Sequence, residues 1–199
     1  MKMVEALERT IGGRWTGIVF HEDMPLSEGD GYNNRHMRFC EAVRNSYTRP
    51  VVLTRELLNC HGGRWSFGWE KHPESLMNRL AKENGFPAEM VSQLIAKAPH
   101  LDIDLAALTI GGDQTPDVIL SYIQAADAMK LVRRWQQNTG SNLDVSISSL
   151  MSVCGSAVRT YLTQQISVSF GCPESRKYGN IGRDRLVIGM PYEIAEELM

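Results

Sequence analysis

The sequence predicts a single α/β domain, and three observations carry that expectation. Short strand-forming runs alternate with amphipathic helical stretches along all 199 residues, and no linker parts independent domains. The composition, 43% hydrophobic and 22% charged, is that of a globular chain with enough apolar surface for one substantial core. Finally, two stretches resemble one another. Val51-Val52-Leu53-Thr54-Arg55-Glu56-Leu57-Leu58-Asn59-Cys60 aligns without gaps on Val145-Ser146-Ile147-Ser148-Ser149-Leu150-Met151-Ser152-Val153-Cys154. Ser66-Phe67-Gly68 recurs as Ser169-Phe170-Gly171, and Met37-Arg38-Phe39-Cys40 falls on Met129-Lys130-Leu131-Val132. A duplication covering approximately 15–69 and 117–172 predicts two pseudosymmetric strand-helix-strand-helix-strand halves.

Each element has a local cause. Val4 to Ile11 has helical apolar spacing and stops at Gly12-Gly13; Trp15 to Phe20 alternates as a strand does. His21 to Asn34, with Pro25, Gly29 and Gly31, reads as a loop, and Asn33 or Asn34 as the cap of a helix running to Tyr47. Val51 to Leu53 is a short buried strand. Thr54 would cap a turn or two of helix delivering Cys60 to its end, with His61-Gly62-Gly63 as terminator and Arg64 to Gly68 as another strand. Pro73 to Asn84 and Pro87 to Ala98 each begin with proline in the first turn, where a missing amide donor does no harm. Leu105 to Ile110 and Asp117 to Ile123 are apolar strands flanking a Gly111-Gly112-Asp113 turn. Ala125 to Asn138 is helical and closed by Gly140. Val145 to Ile147 is expected as a strand, Ser148 or Ser149 as the cap of a helix to Thr163, and Ile166 to Phe170 as a strand. Cys172 to Asp184 reads as a loop, Leu186 to Met190 as the last strand, and the remainder as an amphipathic helix.

Charge and hydropathy narrow the function. A net charge of −2 and a pI near 6.2 exclude a general nucleic-acid binder, which needs clustered cations to displace counterions. No apolar run is long enough to span a bilayer, and acids interrupt the N-terminal stretch where a secretory leader needs apolar residues. A cytoplasmic location without membrane contact is the expectation.

Four cysteines stand out: Cys40, Cys60, Cys154 and Cys172. They are too sparse for a disulfide scaffold, and none forms a Cys-x-x-Cys pair. Cys60 and Cys154 occupy matched positions near short helices, Cys172 follows a strand beside Pro173, and Cys40 lies on an apolar helix face. If all four converge they provide a Cys₄ set, which suits an iron–sulfur cluster or, on ligand type alone, zinc. The competing readings are packing, since free cysteine behaves as a small hydrophobe, and a reactive redox thiol. The segment from Cys172 to Arg185 also gathers basic groups and glycines; Arg176 and Arg185 are candidates for holding a carboxylate or phosphate, against the plainer alternative of a solvated charged loop. His21-Glu22-Asp23 is a candidate acid or base at a strand end, while His36, His72 and His100 have no metal-ligand spacing.

Several motifs together resemble a known family. Arg38-Phe39-Cys40-Glu41-Ala42-Val43, Leu58-Asn59-Cys60-His61-Gly62-Gly63, Pro116-Asp117-Val118-Ile119-Leu120 with Ala125-Ala126-Asp127-Ala128-Met129, and Ser169-Phe170-Gly171-Cys172 with Ser175-Arg176 resemble the uncharacterised prokaryotic family called domain of unknown function 169. The likeness spans nearly the whole chain. Gln124-Ala125 departs from it, standing where a turn-forming Asn-Pro-like pair is expected. The resemblance implies no activity, but three of its motifs contain a cysteine. The leading expectation is a metal- or cluster-binding protein with a cysteine-lined site; a non-catalytic module for a small anionic metabolite and a thiol oxidoreductase are the alternatives.

Overall fold

The computed structural model describes residues 2–25, 35–145, 147 and 150–199. Among these the elements run α1 (Lys2–Thr10), β1 (Arg14–His21), α2 (Phe39–Ser46), β2 (Val51–Thr54), α3 (His61–Ser66), α4 (Glu74–Asn84), α5 (Ala88–Ala96), β3 (Ala107–Ile110), β4 (Val118–Gln124), α6 (Ala125–Thr139), α7 (Ser152–Thr163), β5 (Ser167–Ser169), α8 (Pro173–Tyr178), β6 (Arg185–Pro191) and α9 (Tyr192–Glu197). The six strands make one sheet in the order β2-β3-β1-β4-β6-β5, each neighbouring pair antiparallel. β1 is central, with Ile18 opposite Ile110 of β3 and Gly17 opposite Ile119 of β4.

Strand side chains alternate between faces, and here both faces are buried. Along β4, Val118, Leu120 and Tyr122 enter one core while Ile119 and Ile123 enter another. The first core is roofed by α2, α4, α5 and α7 through residues such as Val43, Leu80, Ile95 and Val158. The second is covered by α1, α6 and α9 through Leu7, Leu131 and Ala195. Sheet and helices therefore form three layers. On the first face, Phe67 meets Phe39 edge-on at 4.8 Å between ring centres and lies 5.6 Å from Trp69, joining the end of α3 to α2.

The mixed α/β class holds, but the two matched stretches do not occupy equivalent elements. Ser66 ends helix α3, whereas Ser169 ends strand β5; Phe67 is fully buried, whereas Phe170 is 49% exposed. Met37 makes an isolated bridge to Leu58, and its counterpart Met129 sits on α6. Four local expectations also change: Thr54 ends β2 and is followed by a turn, so no helix precedes Cys60, which caps the start of α3 instead of closing a helix. Arg64 to Gly68 is not a strand, because His61-Gly62-Gly63 opens a helix instead of closing one. The Cys172 to Asp184 segment contains α8, started by Pro173. α2 begins at Phe39, with Arg38 at its cap. The proposed caps Asn33, Asn34, Ser148 and Ser149 lie outside the described residues, as does Ser146 of the expected Val145 to Ile147 strand. Among the described residues, no helix is long and apolar enough to cross a membrane.

Candidate functional site

Four helix starts on the first face of the sheet bring the four cysteines to one cavity. Cys40 is the second residue of α2, Cys60 the cap of α3, Cys154 the third residue of α7, and Cys172 the cap of α8. All four line a cavity of about 110 Å³, with Phe39, Leu76, Leu80 and Val153 among its apolar walls. Cys40 and Cys154 are buried; Cys60 and Cys172 are half-buried. All are free thiols. The convergence comes from helices stacked on one sheet face.

Local backbone explains how each thiol is aimed. Cys60 and Cys172 are both extended caps, so their side chains turn back toward the first-turn amides of the helices they open. The Ser175 amide donates to Cys172 Sγ at 3.4 Å, whereas Cys60 makes no side-chain cap bond, although the nearby Gly63 amide opposes the effect of burial on its thiol. The Glu41 amide likewise opposes burial at Cys40. The Ser66 hydroxyl donates to Met151 Sδ at 3.9 Å and lies close enough to the Cys154 thiol to oppose the effect of burial on it, and Cys154 Sγ donates to the Met151 carbonyl at 3.4 Å. Gly62 is needed for packing: a Cβ there would lie 2.9 Å from Met151 Cγ. Met151 itself takes a left-handed backbone, φ 49°, a conformation that costs a side chain of its size free energy and that clusters at functional sites.

Electrostatics set the protonation. Burial pushes the Cys40 thiol up to about 12, reinforced by Cys60 and Cys172 and opposed by Arg38. Burial raises Cys60 and Cys154 too, and each is raised further by its cysteine neighbours. Cys60 acts on both Cys40 and Cys154, and Cys172 acts on all three of the others. Without a cation beside them, Cys40, Cys60 and Cys154 hold their protons. A bound cation reverses this by attracting every thiolate at once.

Two measurable results follow. With its thiol at about 12 against an ordinary 9.0, Cys40 carries roughly a thousandfold less thiolate near neutrality, and its alkylation by iodoacetamide is expected to lag a free thiol by at least that factor. Stability of the reduced, metal-free protein is expected to be flat up to pH 9 and then to fall towards pH 12. Over that window the unfolded thiol ionises and the folded one does not, so the unfolded state binds fewer protons. Thermal melts at stepped pH check the sign.

Charged groups missed by the sequence reading stand beside the thiols. Glu174 lines the cavity and pairs with Arg38, and through its other oxygen with Arg79 of α4. The Arg38 guanidinium lies 4.1 Å from the centre of the Tyr178 ring. Arg38 immediately precedes a helix that carries a cysteine, and this was the available signal; Arg79 gave none.

The other candidates lie elsewhere. Arg176 donates to the carbonyls of Gly182, at 2.7 Å, and of Phe170. Arg185 donates to the Tyr122 carbonyl at 3.1 Å. Both guanidiniums tie backbone together, and neither lines the cysteine cavity. His21 Nε2 is 2.9 Å from Thr109 Oγ1, its pKa lowered by burial and raised by Asp117, outside the cavity. His61 is exposed at the start of α3 and bonds Ser75, and His100 stacks on Trp65 at 4.2 Å.

Comparison with known proteins agrees with the motifs. An uncharacterised protein of Methanocaldococcus jannaschii is 24% identical over 189 residues, covering 89% of this chain and 80% of that one. No solved structure matches the chain. Residues 16–199 match the pattern of a family described as an uncharacterised ArCR, and the chain belongs to that family, domain of unknown function 169.

Proposed function

We propose that this protein holds a metal centre on Cys40, Cys60, Cys154 and Cys172, with an iron–sulfur cluster as the occupant. One observation carries the reading: four thiols from four separate segments line one cavity of about 110 Å³. The amide-to-sulfur hydrogen bond at Cys172 supports it, since such bonds stabilise thiolate ligands and tune cluster potential, and the amides of Glu41 and Gly63 favour thiolate at Cys40 and Cys60 in the same sense. The apolar walls at Phe39, Leu76, Leu80 and Val153 would shield a centre from water.

Zinc is the second choice. At zinc–sulfur distances near 2.3 Å, a tetrahedral ion needs its thiolates clenched within about 3.8 Å of one another. Among the described residues, no three His, Cys, Asp or Glu side chains are arranged around a single ion position. Sulfurs spread around the walls of a cavity suit a polynuclear centre better, because a cluster spaces its cysteine ligands more widely than one ion does. Arg38, near both Cys40 and Cys60, would offset the negative charge of a thiolate-bound cluster.

The test is anaerobic purification, or reconstitution with ferrous iron and sulfide, followed by iron and acid-labile sulfide counts and a visible spectrum. The expected result is a brown protein with iron and sulfide in equal amounts, bleached by air. A colourless protein without iron under both treatments would refute the cluster, and one equivalent of zinc would favour the second choice.

A further inference from the structure

We propose that the exposed side of the cysteine cavity is a binding site for a small monocarboxylate with a short apolar tail, and that the Glu174 carboxylate marks its head-group subsite. This goes beyond the metal reading; the tail would lie against the same walls that would shield a metal centre, so the site belongs to the cavity without that centre.

Two arginines from different helices meet at one carboxylate. Arg38, at the start of α2, pairs with Glu174 Oε2, and Arg79, within α4, pairs with Glu174 Oε1. Guanidinium forks match carboxylate geometry in a way that ammonium groups do not. The Tyr178 ring holds Arg38 in place from behind, at 4.1 Å. The receptor is therefore preorganised, and its preferred anion is the one already seated in it.

What lies next to this clamp makes it more than a tie between helices. Arg79 and Glu174 both line the cavity, whose walls beside them are apolar: Phe39, Leu76, Leu80 and Val153. Apolar walls with a few convergent polar groups are the usual make-up of a small-molecule site. The three charged side chains remain 17%, 26% and 32% exposed, for Arg38, Arg79 and Glu174 respectively. The Arg79 side of the clamp is its more open side, while Arg38 Nη1 and Glu174 Oε2 are buried, so an incoming carboxylate must take the place of Glu174 at both guanidiniums. A carboxylate from solution that also buries a hydrocarbon tail gains apolar transfer energy that Glu174 cannot, and so displaces it. Glu174 sits in the first turn of α8, beside solvent, and can swing out without burying its charge.

The experiment titrates the full chain, as purified, with hexanoate, acetate and hexanol, counting iron in parallel on each sample. Hexanoate is expected to bind saturably and to raise the melting temperature with concentration. Acetate, which lacks the tail, and hexanol, which lacks the charge, should each bind at least about tenfold more weakly. Glu174→Gln removes the resident competitor and is expected to bind hexanoate several-fold more tightly, a gain that a misfolded variant cannot give. Arg79→Gln should lose roughly tenfold or more in affinity. Absence of saturable hexanoate binding, or hexanoate affinity unchanged in both variants, would overturn the site. A cluster and the tail would fill the same cavity of about 110 Å³, so hexanoate binding is read on protein that the iron count shows to be iron-free, and the iron count itself reports on the metal centre.

Discussion

Cys60→Ser is expected to lose most of the bound iron while the protein stays folded. Cys60 is the thiol that its neighbours feel most: it is the first cysteine acting on Cys40 and on Cys154. It is half-buried and caps α3 without a side-chain cap bond, so serine fits there without strain. The hydroxyl is a poor ligand for iron, and the colour and iron count of reconstituted protein should fall together. Ser66→Ala should act more gently. It removes the hydroxyl beside the Cys154 thiol and leaves all four sulfurs, so metal affinity is expected to fall by about tenfold to a hundredfold. Competition with a chelator measures both. If Cys60→Ser retains full iron, the four-cysteine centre is wrong even if the protein is brown.

The second large effect is on stability, at the two copies of Ser-Phe-Gly. Phe67 is fully buried in an aromatic cluster with Phe39, Trp69 and Phe20. Truncating it leaves a cavity where α2, α3 and the sheet meet, and Phe67→Ala is expected to cost about 3–5 kcal/mol. Phe170, with the same neighbours in sequence, is 49% exposed, and Phe170→Ala should change stability by less than about 1 kcal/mol. Denaturant unfolding at unchanged slope compares the two. Equal losses would mean that the repeated tripeptide plays equivalent parts in the fold, contrary to the structure.

That contrast shows what the sequence could and could not convey. β1, β3, β4, α6 and β6 were legible because their apolar periods run long enough to separate strand from helix, as in Val118–Gln124 followed by Ala125–Thr139. α3 was not, because Gly62 and Gly63 read locally as a stop. Their role is tertiary: Gly62 lets α3 approach Met151 more closely than a Cβ permits, and Gly63 leaves it a tight approach to Leu58. α8 was missed for a different reason. Cys172-Pro173-Glu174 is a helix-start pattern, but a six-residue helix followed by glycines and basic residues has the composition of a charged loop. The cysteine positions were visible and their meeting was expected, though for another reason. Arg79 and Met151 reach the cavity, and Arg38 reaches Glu174 on its wall, through packing of α2, α4 and α7, which no single stretch of sequence records.

The sheet ends in β2 and β5, only four and three residues long. A free edge that brief presents few amides and carbonyls for a stray polypeptide to copy. The architecture thus guards itself against fibrillar stacking by leaving almost no open seam, even though its middle strands are among the most apolar segments of the chain.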